Sequence, residues 1–340
     1  MERRGNEVAG RIVLERLEGL AVGEGTSHAG MVVFPVFSNG GEGKGGQALD
    51  YRTLDEAVRE GWVEVTEQPT ATVPELVLRN AGKTMVLVID GEEIVGGKQN
   101  RIVNAAFLVA AGSKVILPVT CVEHGRWHEV SANFVPGEVT FFSLKREKHE
   151  QVRASLHRTG RPVADQGAVW DHLAERHMAA RTESPTGAMR DLYSRGEEAL
   201  LGYESAFPYV SGAIGLIVAL GGRMAGADLF DQPRTASVLW HKLVRSYALD
   251  ALQGKPGSGV DHSRALRFLA RARDARIEVF PSLALGEDVR LQGDGLVGSA
   301  LVYQDTPVYV NLFRIHRGAA DRGGRMARSS LRRRFERGHA

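Results

Sequence analysis

The sequence contains little cysteine and no long apolar segment. Cys121 is its only cysteine, which excludes a disulfide within one chain and is typical of proteins from a reducing compartment. No apolar run reaches the roughly 18 residues that a helix needs to cross a bilayer. The first twenty residues are charged and lack the apolar core of a signal peptide. We therefore expect a cytoplasmic protein without a membrane span.

An excess of charge of one sign is confined to the end of the chain. The net charge is +2 over 340 residues, whereas eight arginines against Asp321 and Glu336 give residues 317–340 a charge of +6. The remaining chain, at −4, is mildly acidic, which argues against nucleic acid as a partner except through the basic tail, residues 318–340. A solvated, disordered terminus is the commoner explanation of such a run.

Glycine is abundant, and its forty copies predict tight turns and hairpins rather than long helices. Short apolar runs fill the first 143 residues, whereas segment 236–252 has apolar side chains four residues apart on one helical face. We predict one α+β domain over residues 1–317. It has a β-rich N-terminal lobe with glycine hairpins (about 12–143) and a helix-containing α/β C-terminal lobe (about 163–317), and a basic, disordered tail follows.

Three segments, 86–100, 217–230 and 290–302, share an apolar strand, a glycine turn and a second glycine. Two interpretations stay open, namely three ordinary glycine hairpins or a duplicated unit whose loops converge on one site. Phosphate-loop and dinucleotide-binding motifs are not matched, because the segment around Lys44 and the segment 221–226 lack the required glycine spacing.

Two short polar segments interrupt the apolar runs of the first lobe. The first polar island, residues 98–101 (Lys-Gln-Asn-Arg), lies between the apolar runs 84–89 and 105–111. The second polar island, residues 121–127, follows the strand-like run 115–120. Such donors are costly to bury unless an anion or a carbonyl group accepts their hydrogen bonds. Two such islands on neighbouring strands therefore predict a functional site.

The cations of the two islands can form an anion site, because guanidinium and ammonium groups bind phosphate and carboxylate groups. Lys98, Arg101 and Arg126 would then clamp a phosphate. The alternative is a structural network in which Glu92 and Glu123 pair with these cations. The two interpretations are compatible, since paired charges often border the site that they shape.

Two further residues have two interpretations each. Cys121 is either a nucleophile or a small buried residue, and burial is the commoner state of a free cysteine. Asp228 follows one of the glycine turns, and it either faces the same cleft as Lys98 or is a turn residue. The eleven histidines form no HExxH motif or comparable ligand cluster, so the sequence predicts no metal site.

With these motifs, the chain resembles the ARG (ADP-ribosylglycohydrolase) and rhodanese-phosphatase-superfamily-associated protein domain family. The family's pattern is G-E, then G-[AG]-K-Q-N-R, a strand, and P-V-x-C-V-E-x-G-R-W, which this chain has at residues 91–92, 96–101 and 118–127. The resemblance covers about residues 12–315, although segments 40–46 and 282–298 match it poorly or not at all. Further matching positions are Gln166, Trp170, Ser184, Pro185, Thr186, Gly226, Asp228, Phe230, Trp240, Leu243, Ser246 and Tyr247.

The resemblance implies a place in NAD or ADP-ribose handling, a nucleotide-like small-molecule ligand and a functional link to ADP-ribosylglycohydrolase-type enzymes. It names neither a cofactor nor a reaction. A pyrophosphate is compatible with Lys98, Arg101 and Arg126, and Gln99 and Asn100 can bind a ribose or a base edge.

Our first hypothesis is an enzyme that hydrolyses the ribosyl bond of an ADP-ribose-like ligand. Glu92 or Glu123 would be the general acid or base, with Asp228 in support. The second hypothesis is a non-catalytic module that binds an ADP-ribosylated or phosphorylated partner through the same residues. Nucleic-acid binding through the tail ranks last.

Overall fold

The computed structural model describes residues 2–39, 48–68, 74–254, 257 and 259–315. It contains 34% helix and 34% strand, arranged in several sheets, and so confirms the predicted α+β class. The glycine-rich segment 40–46 and the basic tail 318–340, which we predicted to be disordered, both lie outside the described residues.

Helices and strands follow one another along the chain without a regular alternation. The helices of the described residues are α1 (Glu2–Glu18), α2 (Leu54–Arg59), α3 (Phe142–Thr159), α4 (Gln166–Ala180), α5 (Met189–Ala206), α6 (Pro233–Ala251) and α7 (His262–Arg273). The strands are β1 (Leu20–Val22), β2 (Thr26–His28), β3 (Met31–Ser38), β4 (Tyr51–Thr53), β5 (Val63–Glu67), β6 (Glu75–Asn80), β7 (Met85–Val88), β8 (Glu92–Val95), β9 (Arg101–Val103), β10 (Phe107–Val109), β11 (Lys114–Cys121), β12 (Val135–Val139), β13 (Gly215–Leu220), β14 (Arg223–Phe230), β15 (Arg276–Pro281), β16 (Glu287–Gly293), β17 (Leu296–Tyr303) and β18 (Thr306–Arg314).

The largest sheet has nine antiparallel strands, and it combines strands from the first 38 residues with strands from the second half of the chain. Its order is β3-β13-β14-β18-β17-β16-β15, with β1 and β2 both paired to the outer edge of β3. β3 is apolar from Met31 to Phe37, and its first six residues are buried on both faces of the sheet. Met31 and Val33 pack on one side of the sheet, and Val32, Phe34 and Val36 pack on the other. The strand pairing therefore differs from the predicted lobes, since β1–β3 belong to the sheet of the C-terminal lobe.

Helices cover both faces of this sheet. α1 and α7 contribute to the core on one face, whereas α3, α4, α5 and α6 contribute to the core on the other. Two smaller sheets, with orders β10-β7-β4 and β12-β8-β9-β11-β6-β5, enclose a third core together with α2. Of the predicted site residues, Glu92 and Arg101 lie in strands of the six-stranded sheet, and Asp228 lies in the nine-stranded sheet.

Several local predictions are confirmed and others are wrong. The amphipathic segment 236–252 is helical as α6, but the glycine content did not exclude long helices, since α3, α5 and α6 have 18, 18 and 19 residues. The Ser-Pro-Thr element at residues 184–186 precedes α5, which begins at Met189. Segments 217–230 and 290–302 form β-hairpins. In segment 86–100, by contrast, β7 and β8 lie in different sheets, so the three segments are not copies of one hairpin.

Candidate functional site

The two polar islands lie side by side in the six-stranded sheet. β9 pairs with β11, and Arg101 is opposite Cys121 in this pairing. The backbone N–H of Asn100 donates to the Glu123 carboxylate at 3.1 Å, and the Gln99 side chain donates to the Glu123 carbonyl oxygen at 2.8 Å. The islands therefore meet, as their position on neighbouring strands predicts.

Arg126 is at the centre of this contact. Its guanidinium group donates to the Glu123 carboxylate at 2.6 Å, the Asn100 side-chain oxygen at 3.0 Å and the Gly97 carbonyl oxygen at 2.6 Å. Arg126 is 7% exposed and Glu123 is 6% exposed. Burial raises the pKa of Glu123, but hydrogen bonds from Arg126, the Asn100 N–H and Thr186 outweigh it and lower the pKa overall. The pair therefore stays ionised although water is nearly excluded.

Arg101 is paired in a similar way, with a carboxylate that the sequence did not identify. Its guanidinium group lies 3.3 Å from the Glu67 carboxylate and 5.5 Å from the centre of the Phe134 ring. Glu67 also accepts a hydrogen bond from the backbone N–H of Lys98 at 2.9 Å. Gly97 has a φ of 50°, and a Cβ there would meet Phe134 and Glu67, so this turn of the motif requires glycine.

These contacts show a structural ion-pair network in the islands. The protein itself supplies the anions for both arginines, through Glu123 for Arg126 and through Glu67 for Arg101. Lys98 differs from the arginines, because its side chain is exposed and forms no ion pair within 4.0 Å among the described residues. A role in ligand binding for Gln99, Asn100, Arg101 and Arg126 stays a prediction.

Glu92 and Glu93 are buried carboxylic acids just before the first polar island. Glu92 lies 3.8 Å from Lys242, which forms a closer pair with Asp55 at 2.6 Å, so Glu92 does not pair with the island cations. Burial raises the pKa of Glu92 to about 7, although Lys242 opposes this shift. Burial likewise raises the pKa of Glu93 to about 7, against a hydrogen bond from the Glu138 N–H. Both groups titrate near neutral pH, as general acids and bases do.

Replacing Glu93 by glutamine is expected to raise the free energy of unfolding at pH 8 by about 3 kcal/mol. The unfolded chain ionises Glu93 near pH 4.5, but the folded chain ionises it only near pH 7, so stability is complete below pH 4.5 and is lost as the pH rises to 7. Urea unfolding at pH 4 and pH 8 measures the effect, which should vanish at pH 4. Glu64→Gln, at an exposed position, is the matched control. A gain of equal size at both pH values would contradict the prediction.

Asp228 lies in a separate buried cluster. Its carboxylate accepts hydrogen bonds from Lys145 at 2.7 Å, from Tyr247 at 2.8 Å and from Tyr309. Asp228 is 1% exposed and Lys145 is 2% exposed. Burial and the charge of Asp228 hold the pKa of both tyrosines well above 10, so their hydroxyl groups stay protonated and donate. Asp228 lies within β14, so it is not a turn residue, and its supporting role in catalysis stays a prediction.

A second buried lysine of α3 binds the turn that precedes Glu92. Lys148 pairs with Asp90 and donates to the Val103 carbonyl oxygen at 2.7 Å. Asn311 donates to the other oxygen of Asp90 at 3.3 Å. Burial lowers the pKa of Lys148, and Asp90 opposes this shift. We predicted neither Lys145 nor Lys148 from the sequence, although together they join this turn and β14 to one helix.

Residues that the family resemblance identified support the second polar island. Gln166 accepts from the Cys121 N–H and donates to the Cys121 carbonyl oxygen, both at 2.8 Å. The Trp170 ring packs edge-on against His124, with centroids 4.3 Å apart, and Thr186 donates to the Glu123 carboxylate at 3.0 Å. Cys121 is buried, and burial raises the pKa of its thiol, as expected of a packing residue and not of a nucleophile.

The islands also present one aromatic side chain and one cation to solvent. Trp127 is 58% exposed, and Lys98 is exposed as well. The segments that carry them are joined by two backbone hydrogen bonds, from the Val130 N–H to the Gly97 carbonyl (3.1 Å) and from the Gly97 N–H to the Ser131 carbonyl (3.2 Å). We call Lys98 and Trp127 the island surface.

The fold and the ion-paired islands define an α+β domain organised around the K-Q-N-R and C-V-E-x-G-R-W motifs. The ARG and Rhodanese-Phosphatase-superfamily-associated Protein domain matches residues 19–313, and the chain belongs to this family. The family's description associates the domain with ARG and rhodanese-phosphatase-superfamily proteins. Comparison with curated proteins and with solved structures found no match.

Two further properties concern the described part of the chain alone. None of its helices combines the length and the apolar character that crossing a bilayer requires. In the same residues, no group of three or more His, Cys, Asp or Glu side chains is placed to hold a metal ion. A cytoplasmic location stays a prediction.

Proposed function

We propose that the protein is a binding module for a nucleotide-like ligand of the ADP-ribose type, free or attached to a partner, and that the island surface contacts it. The observation that supports this proposal is the contrast between buried and exposed residues of the islands. Arg101 and Arg126 are buried in ion pairs with protein carboxylates, whereas Lys98 and Trp127 are exposed on adjoining segments. In this proposal the buried ion pairs hold the two islands in place, and the exposed side chains of Lys98 and Trp127 contact the ligand.

The chemistry of the island surface suits such a ligand. A tryptophan face stacks on any nucleobase and contributes about 1–3 kcal/mol per stacked base. A lysine ammonium group binds a phosphate oxygen as a point charge. Because buried hydrogen bonds of Arg126 hold the Gly97 carbonyl, little ordering of this turn is needed on binding, which favours affinity.

Replacing Trp127 by alanine is expected to weaken the binding of ADP-ribose by roughly 10-fold or more, since the stacking contribution is lost. Lys98→Ala should weaken the binding of ADP-ribose and NAD as well, and that of AMP less, because AMP has no second phosphate. Isothermal titration calorimetry with these three ligands measures the effects. Lys83→Ala, another exposed lysine on a turn, is the matched control. Absence of binding by all three ligands, or equal effects of Lys98→Ala and Lys83→Ala, would rule the proposal out.

Hydrolysis at the ribosyl carbon is the second candidate function. It is favoured by the pKa of about 7 of both Glu92 and Glu93, which suits a general acid or base at neutral pH. Analysis of the titrated ligand by chromatography distinguishes the two functions. A hydrolase converts ADP-ribose, and its Glu92→Gln variant binds the ligand without converting it. A binding module leaves the ligand intact in the wild-type protein.

A further inference from the structure

Five arginines from three elements line one pocket of the nine-stranded sheet. α7 contributes three of them at spacings of three and four residues, which places them on one helical face. One more comes from the first residue of β14 and one from the last residue of β18. The pocket has a volume of about 280 Å³, and Met224 and Phe268 complete its lining. We call it the arginine pocket, and its arginines are Arg223, Arg264, Arg267, Arg271 and Arg314.

The charges of the arginine pocket are not neutralised by ion pairs. Among the described residues, no ion pair within 4.0 Å joins any of the five arginines to a carboxylate. Three of them donate instead to neutral oxygens, at distances of 2.9–3.2 Å, which belong to the Gly222 carbonyl, the Ser263 hydroxyl and the Asp294 carbonyl. The carboxylate of Asp261 contributes at longer range, and it caps the first turn of α7. The arginine pocket thus differs from the islands, where carboxylates compensate both arginines.

Arg223, Arg264, Arg267 and Arg271 are exposed, so an anion can reach their guanidinium groups from solvent. Arg314 is half-buried, and burial together with the nearby charge of Arg271 lowers its pKa, although the charge of Asp294 opposes this shift. The cluster does not result from a basic chain, because the chain outside residues 317–340 carries a charge of −4. Repulsion among guanidinium groups is relieved when a polyanion binds between them.

We propose that the arginine pocket is a second anion site, separate from the island surface, and that it binds a compact polyphosphate such as a diphosphate or triphosphate group. Guanidinium groups match phosphate oxygens in pairs, and several of them together require more than one phosphate. A volume of about 280 Å³ lies just below the range of about 300–1,000 Å³ that is typical of sites for whole drug-sized ligands. The pocket therefore fits the phosphate groups, with any nucleoside outside it. It shares no residue with the island surface, so either site can be tested without the other.

The test is isothermal titration of the full chain with inorganic pyrophosphate, inorganic tripolyphosphate and ADP. We expect saturable binding of one anion per chain, weakened at least about 10-fold in Arg267→Ala/Arg271→Ala because two charge-assisted contacts are lost. The control is Arg59→Ala/Arg158→Ala, which removes the same charge from two other exposed helical arginines and should leave affinity unchanged. Arg223→Ala tests the pocket from a different element. Higher salt should weaken binding in all four proteins.

The outcomes separate a pocket from a general charge effect. ADP that binds as tightly as pyrophosphate would identify a nucleotide as the source of the phosphates, and tighter binding of the inorganic anions would identify a free polyphosphate. Equal loss of affinity in the two double variants would show binding to diffuse surface charge and would overturn the proposal. Absence of saturable binding by all three anions would overturn it as well.

Discussion

Replacing Asp228 by asparagine is expected to lower the free energy of unfolding by about 3–5 kcal/mol. Asparagine keeps the size of the side chain but removes the charge that compensates Lys145 at 2.7 Å. Lys145 is 2% exposed, so it must then stay charged without a counter-ion or release its proton. Tyr247 and Tyr309 donate to different oxygens of Asp228, so one of the two hydroxyl groups also loses its acceptor. Urea unfolding at pH 7, followed by circular dichroism, measures the loss.

Two further variants show whether the lost charge is the cause. Asp171→Asn removes the charge of an exposed aspartate on α4 and should change stability by no more than about 0.5 kcal/mol. Adding Lys145→Met to Asp228→Asn should recover part of the loss, because it removes the unpaired cation. A loss in Asp228→Asn no larger than that in Asp171→Asn would show that the buried pair contributes little to stability.

Helix α3, which carries Lys145, shows which features of the structure cannot be predicted from the sequence. Segment 146–158 is rich in charged residues, whereas Lys145, Lys148, Val152 and Leu156 all lie on the buried face of α3. Their spacing of three or four residues was a usable signal. A buried lysine is nevertheless rare, and here it depends on partners 83 and 58 residues away, Asp228 and Asp90. No sequence pattern within the helix predicts such distant partners.

The same distinction between local and distant information applies to the fold. The strand at 32–37 is recognisable because it is a continuous apolar run, and the α+β class follows from such elements. On one edge this strand, β3, pairs with β13, which lies in the second half of the chain. The predicted lobes followed chain order and therefore assigned β3 to the N-terminal lobe. Strand partners are set by the packing of both faces, which periodicity within one strand does not reveal.

The contact between the two islands could also be predicted in part from the sequence, whereas their role as a functional site stays a prediction. The islands were located because four consecutive polar residues in an apolar region need acceptors, and the structure supplies them. Glu67 was missed because it approaches Arg101 only through the pairing of β5, β6, β11 and β9. The exposure of Trp127 was missed as well, since no pattern shows which side of a turn faces solvent.

Replacing Arg126 by alanine is expected to lower the free energy of unfolding by about 3–5 kcal/mol, without any ligand present. The variant leaves the buried Glu123 carboxylate without its counter-charge and the Gly97 carbonyl oxygen without its closest donor. Arg126→Lys should lose less, although one ammonium group cannot reach Glu123, Asn100 and Gly97 together. Arg79→Ala, at an exposed position of β6, is the matched control. Urea unfolding measures all three.

This experiment also decides between the two roles of the island arginines. If Arg126 holds the islands in place, Arg126→Ala loses stability in the absence of ligand. Any loss of ADP-ribose binding then follows from the disturbed turn at Gly97. If Arg126 instead binds the ligand, Arg126→Ala should be as stable as Arg79→Ala but bind ADP-ribose much more weakly. Such a result would mean that the ion pair with Glu123 contributes little to the stability of the free protein. The second result would support Arg126 as a residue that binds the phosphate. Lys98 and Trp127 would then no longer be the expected ligand contacts.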